Sequence, residues 1–177
     1  MSLYKHYSQE DVNLGDGFEA RIKPILETYL GPLTQRSKGN RNDQFDFSNK
    51  KFFVDAKARR NTKNRYPTTM VGENKVKMGL DLMLQGFRVF FVFGFVDKDC
   101  LWELNRDEYE VSYGGRSDRG GPEIKSYAYV PINFLQDIIT NAEEETPIRV
   151  EQAPCRLQEE APEQIHESVY EGRRKDV

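Results

Sequence analysis

The sequence predicts a mixed α/β domain, with a central mixed sheet flanked by helices and further strands toward the C-terminus. Three observations favour this fold class. An amphipathic helical pattern occupies residues 14–30, and two apolar runs of strand length follow at residues 51–58 and 89–96. A second helical pattern lies between these two runs. Such alternation of helix and strand is typical of a sheet covered by helices.

The first helix is predicted from Leu14 to Leu30, because apolar residues recur there at helical spacing. The polar residues before it are expected to form a loose lead-in. Pro24 lies inside the pattern and predicts a kink or a break, and Gly31-Pro32 ends the helix. Residues 33–42 leave room for one edge strand and a turn.

A hairpin is predicted next, followed by a loop and a second helix. Residues 44–47 alternate polar and aromatic side chains, residues 48–50 supply a turn, and residues 51–58 read KFFVDAKA, which favours a strand buried on both faces. Residues 61–69 are polar and basic and are predicted to be a loop. A helix is expected from about Val71 to Gln85. Its predicted buried positions are Val76, Leu80, Met83 and Leu84.

The C-terminal half is predicted mainly as strands. The run VFFVFGFV, residues 89–96, is predicted to be the central strand of the sheet, and LWEL follows after a turn. Further strands are predicted at 110–113 and 127–130, with a Gly-rich loop between them. Pro131 is expected to start a helix that continues through Ile139. We expect one domain over residues 1–142 and an acidic tail, poorly ordered or loosely docked, over residues 143–177.

The composition argues against a membrane protein, and the distribution of charge predicts a surface that binds a polyanion. No apolar run approaches the roughly 20 residues that span a bilayer, and the two cysteines suit free thiols in a reducing compartment. A soluble cytoplasmic protein is the expectation. The net charge of −3 conceals a segment from Lys57 to Lys77 with seven basic residues against one acid. That segment is a candidate polyanion-binding surface, although solvated loop charges would give the same pattern.

One stretch of the sequence carries residues suited to metal chemistry. Asp46 lies on the first strand of the predicted hairpin, whereas Asp55 and Lys57 lie on the second and share a face. Two neighbouring carboxylates repel each other unless a cation lies between them, and Mg²⁺ prefers such oxygen ligands. The backbone carbonyl of Ala56 could add another oxygen. Lys57 would lie beside the metal, where it could orient or deprotonate a water or stabilise charge on a phosphate.

This arrangement resembles the PD-(D/E)xK nuclease superfamily, which includes restriction endonucleases and archaeal-type Holliday-junction resolvases. Asp46 matches the first acid, and Asp55-Ala56-Lys57 matches the (D/E)-x-K triplet. Gly15-Asp-Gly-Phe-Glu19 is similar to the G-x-x-x-E pattern often found on the first helix. The proline that gives the family its name is absent, and Phe45 stands there. The resemblance covers about half of the chain and implies a restriction-endonuclease-like αβββαβ core.

The resemblance implies a divalent-metal-dependent nuclease that hydrolyses phosphodiester bonds in DNA, with RNA not excluded. Mg²⁺ is the expected cofactor, Mn²⁺ a substitute, and no small-molecule cofactor is expected. Asp46, Asp55 and Glu19 would be catalytic and would hold the metal together with the Ala56 carbonyl, and Lys57 would be the catalytic lysine. A homodimer that cuts both strands is compatible with the family. The residues expected to contact nucleic acid are Arg59, Arg60, Lys63, Arg65, Lys75 and Lys77.

Several alternatives stay open from the sequence. Asp43 is a rival for the role of first acid, and Glu27 for that of helix acid. Asp55 and Lys57 could instead form a salt bridge on an exposed face, which would be worth little, and the two lysines of the second helix could be solvated. Tyr66, in the basic loop, could stack on a base. The alternative function is a catalytically inactive nuclease-fold module that binds nucleic acid or a protein partner.

Overall fold

The computed structural model describes residues 9–36, 43–114 and 125–138. The predicted boundary at residue 142, the acidic tail and most of the Gly-rich loop lie outside these residues. Within the described ranges, no helix combines the length and apolar character needed to cross a membrane. The elements in chain order are α1 (Gln9–Leu30), β1 (Thr34–Gln35), β2 (Phe47–Ser48), β3 (Phe52–Ala58), β4 (Thr68–Gly72), α2 (Glu73–Leu84), β5 (Arg88–Gly94), β6 (Asp99–Glu103), β7 (Glu110–Gly114), β8 (Lys125–Pro131) and β9 (Gln136–Asp137).

A six-stranded mixed sheet runs in the order β1-β2-β3-β5-β6-β9. β3 and β5 are parallel over seven paired residues, from Phe52 opposite Arg88 to Ala58 opposite Gly94, and the other neighbours are antiparallel. β5 lies inside the sheet and is apolar on both faces, so its residues from Val89 onward are buried. The prediction of an interior strand here is confirmed.

The two helices cover opposite faces of this sheet. On α1, Phe18, Ile22 and Leu26 are spaced by four and therefore share one face, which packs on Val54 and Val92. The other face of the sheet carries an aromatic cluster. Its largest members are Phe45, Phe91, Phe93 and Trp102, and Val76 of α2 packs among them. β3 and β5 contribute side chains to the packed layers on both faces of the sheet. The residues at the carboxyl ends of these two strands are therefore held in position.

A second, three-stranded antiparallel sheet has the order β4-β8-β7. Val71 of β4 pairs with Ala128 of β8, and both side chains are buried against the aromatic cluster. β4 leads directly into α2. The three-stranded sheet therefore orients α2, which carries Lys75.

The predicted fold class and the αβββαβ order are confirmed, with β4 inserted before α2. Several details were wrong. The helix α1 begins at Gln9 rather than Leu14 and continues through Pro24 without a break. Its buried apolar face compensates for the missing backbone donor. Val71 lies in a strand rather than at a helix start, because its partner across the sheet is β8.

Three further expectations need correction near the ends of elements. Pro131 ends β8, and a short 3₁₀ turn and β9 replace the helix predicted through Ile139. Leu84 is 63% exposed, since α2 ends there and its last turn leaves the core. The first hairpin strand comprises only Phe47 and Ser48, so Asp46 immediately precedes β2 and Ser48 is not part of the turn.

Candidate active site

Asp46 is held at the edge of β3, just beyond the end of β2. Its backbone N–H donates to the carbonyl of Val54 at 3.0 Å, and its Oδ2 accepts the backbone N–H of Ala56 at 2.7 Å. The Asp46 carboxylate thus continues the hydrogen bonding between β2 and β3, because it accepts the Ala56 N–H in place of a backbone carbonyl. Because the N–H and C=O of one strand residue point to the same edge, the Ala56 carbonyl also faces the Asp46 side.

Asp55 projects from β3 into the aromatic layer and is fully buried. Lys57, two residues on, brings its Nζ to 2.8 Å from Oδ2 of Asp55. Lys75 of α2 brings its Nζ to 2.8 Å from Oδ1. Lys75 also donates to the backbone carbonyl of Gln44, and it therefore ties α2 both to Asp55 and to the segment that carries Asp46. The expected approach of Asp55 and Lys57 on one face is present, in a buried rather than an exposed setting.

The surroundings of Asp46 and Lys57 change the pKa values of both groups. Burial, and then the charge of Asp55, raise the pKa of Asp46 from 3.8 to about 6, although Lys57 and the Ala56 N–H favour the ionised form. Burial alone would lower the pKa of Lys57, but Asp55 and Asp46 raise it above the usual lysine value. Lys57 is therefore an ammonium at neutral pH. Oδ2 of Asp55 has this ammonium within ion-pair distance but accepts no aligned hydrogen bond.

Comparison with protein families identifies the kind of site. A family described as "Phage putative PDDEXK endonuclease" matches residues 32–138, which is more than half of the chain. The chain belongs to this PDDEXK endonuclease family. The resemblance to PD-(D/E)xK nucleases is therefore confirmed, and with it the restriction-endonuclease-like fold. Comparisons with curated proteins and with solved structures each gave no match.

The matched region of this PDDEXK chain contains Asp46, Asp55 and Lys57 but not Glu19, which lies on α1. Glu19 accepts a hydrogen bond from Gln35 of β1 at 3.2 Å, and its charge contributes to the raised pKa of Asp46. Glu19 is therefore electrostatically coupled to Asp46 from the helix side.

The rival acids have other partners in this structure. Asp43 accepts a hydrogen bond from Arg36 at 2.9 Å. Glu27 accepts the backbone N–H of Leu33 at 2.9 Å and the Lys23 ammonium at 2.7 Å, which secures the end of α1. These contacts assign both carboxylates structural roles.

The basic residues of the 57–77 segment have diverse surroundings. Four of the six predicted nucleic-acid contacts form ion pairs with acids of the described chain: Arg60 with Asp11, Lys63 with Asp137, Lys75 with Asp55, and Lys77 with Glu73. Arg65 lies over the ring of Tyr66, with 5.8 Å between its guanidinium carbon and the ring centroid.

Arg59 follows β3, and its Nε atom is buried. Its guanidinium donates to the carbonyl of Met70 and lies 5.6 Å from the centroid of the Phe93 ring, and its buried Nε has no hydrogen-bond partner. Burial lowers the pKa of Arg59, and the nearby Asp55 offsets part of this effect. An enclosed guanidinium at the carboxyl end of β3 favours an anion close to it.

The donor set at this PDDEXK site fits a hard divalent cation. The carboxylates of Asp46 and Asp55 and the carbonyl of Ala56 are oxygen donors of the kind that Mg²⁺ and Mn²⁺ accept. A divalent cation would offset both the burial of Asp46 and the repulsion from Asp55, which together raise the pKa of Asp46. No group of three or more His, Cys, Asp or Glu side chains in the described ranges is arranged to hold a metal. The fit therefore depends on two carboxylates, a carbonyl and release of one ammonium from Asp55.

Lys75 is the residue whose position the sequence did not reveal. It was expected to contact nucleic acid, whereas its ammonium lies on Asp55. A signal was available, because Lys75 precedes the buried Gly79 by four residues and so shares the packed face of α2.

Proposed function

We propose that this PDDEXK chain hydrolyses phosphodiester bonds in DNA with the help of a divalent cation, Mg²⁺ or Mn²⁺. One observation carries the proposal: Asp46, Asp55 and Lys57 are electrostatically coupled at the end of β3, where burial and then the charge of Asp55 raise the pKa of Asp46 to about 6 although Lys57 lowers it. A carboxyl with a raised pKa, close to a second buried carboxylate and an ammonium, is an arrangement that catalytic sites often contain.

The residues that would hold the cation are Asp46 and Asp55 with the Ala56 carbonyl, and the charge of Glu19 on α1 would add to the attraction for it. A bound divalent cation lowers the pKa of a coordinated water and offsets charge on the phosphate. The raised pKa of Lys57 keeps its side chain protonated. Lys57 therefore acts as a hydrogen-bond donor that orients the attacking water or stabilises the phosphate, in preference to removing a proton.

Binding of the substrate backbone is assigned to the basic segment. Arg59, which is close enough to interact with the charge of Asp55, would pair with the phosphate nearest the site, and the exposed bases Arg60 and Arg65 would hold flanking phosphates. Lys63 and Lys77 would contribute charge near their acid partners. Contacts of this kind give affinity that falls steeply with salt and carries no sequence information.

The test is a cleavage assay on plasmid, branched and single-stranded DNA with Mg²⁺, Mn²⁺ or a chelator. Cutting should require the metal and should fall by roughly two orders of magnitude or more in Asp55→Asn and Lys57→Met. Matched controls are Asp43→Asn and Lys23→Met, which remove a carboxylate bound to Arg36 and a lysine bound to Glu27. Cutting that survives chelation, or that is lost equally in the controls, would refute the proposal.

A second candidate function is a nuclease-fold module that binds nucleic acid without cutting it. The observation in its favour is that both oxygens of Asp55 already have an ammonium at 2.8 Å, from Lys57 and Lys75. This arrangement neutralises the buried carboxylate without a metal. Mn²⁺ titration followed by electron paramagnetic resonance separates the two functions. A metal site that disappears in Asp55→Asn supports the enzyme, and DNA binding without any such site supports the module.

A further inference from the structure

The loop between β3 and β4 has a fixed shape. The carbonyl of Asn61 accepts the N–H of Val96 at 3.1 Å, and the carbonyl of Pro67 accepts the N–H of Ile132 at 3.0 Å. Between these points Lys63 donates its backbone N–H to Asp97 at 2.8 Å and its ammonium to Asp137 at 2.6 Å. The loop is thus attached at both ends and in the middle, to three different parts of the chain.

Tyr66 is exposed at the end of this well-anchored loop. Of its side-chain and backbone surface, 56% is open to solvent, which is high for a large aromatic residue. The guanidinium of Arg65 lies 5.8 Å from the centroid of its ring. The exposed ring therefore contributes little to the core, although the loop that presents it is rigidly held.

The position of Tyr66 relates it to the candidate active site. Arg59, whose pKa responds to the charge of Asp55, donates to the carbonyl of Met70 on β4. Tyr66 precedes Met70 by four residues, which is at most about 13 Å of extended chain. Successive bases on a helical DNA strand are about 3.4 Å apart. Tyr66 is therefore within a few nucleotides of a phosphate held at Arg59.

We propose that Tyr66 and Arg65 form a stacking platform for an unpaired nucleobase, so that the preferred substrate carries single-stranded nucleotides beside the scissile phosphate. An aromatic ring stacks on any base, and a neighbouring arginine adds a cation for the backbone. In an intact duplex the faces of the bases are covered by their neighbours, so only a flap, fork, branch or single strand offers a base to this ring. The inference rests on the proposed function, since it names the substrate class of the same site.

The test measures binding rather than cutting, so its outcome does not depend on catalysis. Labelled single-stranded, forked and blunt duplex DNA of one sequence is titrated with the protein in chelator, using wild type, Tyr66→Ala, Tyr66→Phe and Tyr113→Ala. Tyr113 is the matched control, because it is an exposed tyrosine (79%) on the edge strand β7. Thermal unfolding of each variant checks that the fold is retained.

Tyr66→Ala should weaken binding of single-stranded and forked DNA about tenfold and leave the blunt duplex unchanged. Tyr66→Phe should bind as wild type, because stacking needs the ring and not the hydroxyl. Tyr113→Ala should also bind as wild type. An equal loss on blunt duplex, or unchanged binding of the fork by Tyr66→Ala, would overturn the platform while leaving the Asp55→Asn cleavage result intact. Conversely, if cutting is absent but Tyr66→Ala loses fork binding, the platform stands and the nuclease proposal falls.

Discussion

Replacement of Asp46 by asparagine should make the metal-free protein more stable. In the folded chain Asp46 is partly buried, and the charge of Asp55 is nearby, so its ionised form is disfavoured. Asparagine has nearly the same shape, carries no charge and keeps an oxygen that can accept the Ala56 N–H. The substitution therefore removes the repulsion and preserves most of the local geometry.

The size and the pH range of the effect follow from the pKa. A carboxyl whose pKa rises from 3.8 to about 6 on folding loses about 3 kcal/mol of stability once the pH is well above 6. The hydrogen bond from Ala56 is weaker to a neutral amide, which reduces the expected net gain to about 1–3 kcal/mol at pH 8. Below about pH 3 the carboxyl is protonated in both the folded and the unfolded state, so the gain should be small there. It should grow as the pH rises from about 4 to 6 and level off above 6.

Urea unfolding of wild type and Asp46→Asn in chelator, at several values between pH 4 and 8, measures this difference. Asp43→Asn is a control of opposite sign, because Arg36 lowers the pKa of Asp43 in spite of partial burial, so this carboxylate stabilises the fold when ionised. Added Mg²⁺ or Mn²⁺ should stabilise wild type and have little effect on Asp46→Asn. If Asp46→Asn loses stability at pH 8 as Asp43→Asn does, or if its gain is independent of pH, the electrostatic account of the site is wrong.

Three other predictions concern stability. Lys75→Met should lower the free energy of unfolding by about 3 kcal/mol in chelator, because the buried Asp55 keeps only one ammonium. In urea titrations, added Mg²⁺ should restore part of this stability. Unchanged stability would mean that the Lys75–Asp55 pair is not formed. Asp137→Asn should cost about 1 kcal/mol at neutral pH, since two lysine ammoniums hold the pKa of Asp137 at about 2 although burial would raise it. That cost should disappear as the pH falls from 4 toward 2, and a constant cost would exclude the charge as its cause. Gly94→Ala should cost about 1–3 kcal/mol, because the new Cβ would overlap the Phe18 ring, and Phe18→Leu should recover part of it in a double-mutant cycle.

The parts of the fold that depend on local patterning could be predicted from the sequence. The hairpin, β3 and β5 were predicted because their apolar runs are short, continuous and bounded by turns. The same local logic brought Asp55 and Lys57 to one face of β3, and it brought Asp46 to the neighbouring strand end. Each of these placements depends on residues fewer than about a dozen positions apart.

The parts that depend on distant pairing could not be predicted. β4 looked like the end of a polar loop and the start of a helix, because nothing near Thr69 in the sequence indicates its partner Val130, which is 61 residues away in β8. The contact of Lys75 with Asp55 was not predicted for the same reason, since it depends on how β4 and β8 orient α2. Propensity and periodicity describe one element at a time, whereas these contacts arise from the packing of several.

The charges around the site suggest that metal and substrate bind cooperatively. Three acids and three bases are coupled there: Asp46, Asp55, Glu19, Lys57, Lys75 and Arg59. With all six ionised the balance is already zero, so a divalent cation alone would create an excess of positive charge. An arriving phosphate removes part of that excess. Because such coupling is reciprocal, DNA should raise the affinity for Mn²⁺ as much as Mn²⁺ raises the affinity for DNA. This effect is measured by titrating the protein with Mn²⁺ in the presence and absence of a DNA that carries a non-hydrolysable linkage. The titrations are corrected for Mn²⁺ bound by the DNA itself. Equal Mn²⁺ affinities in the two titrations would show that the ammonium groups do not oppose the metal.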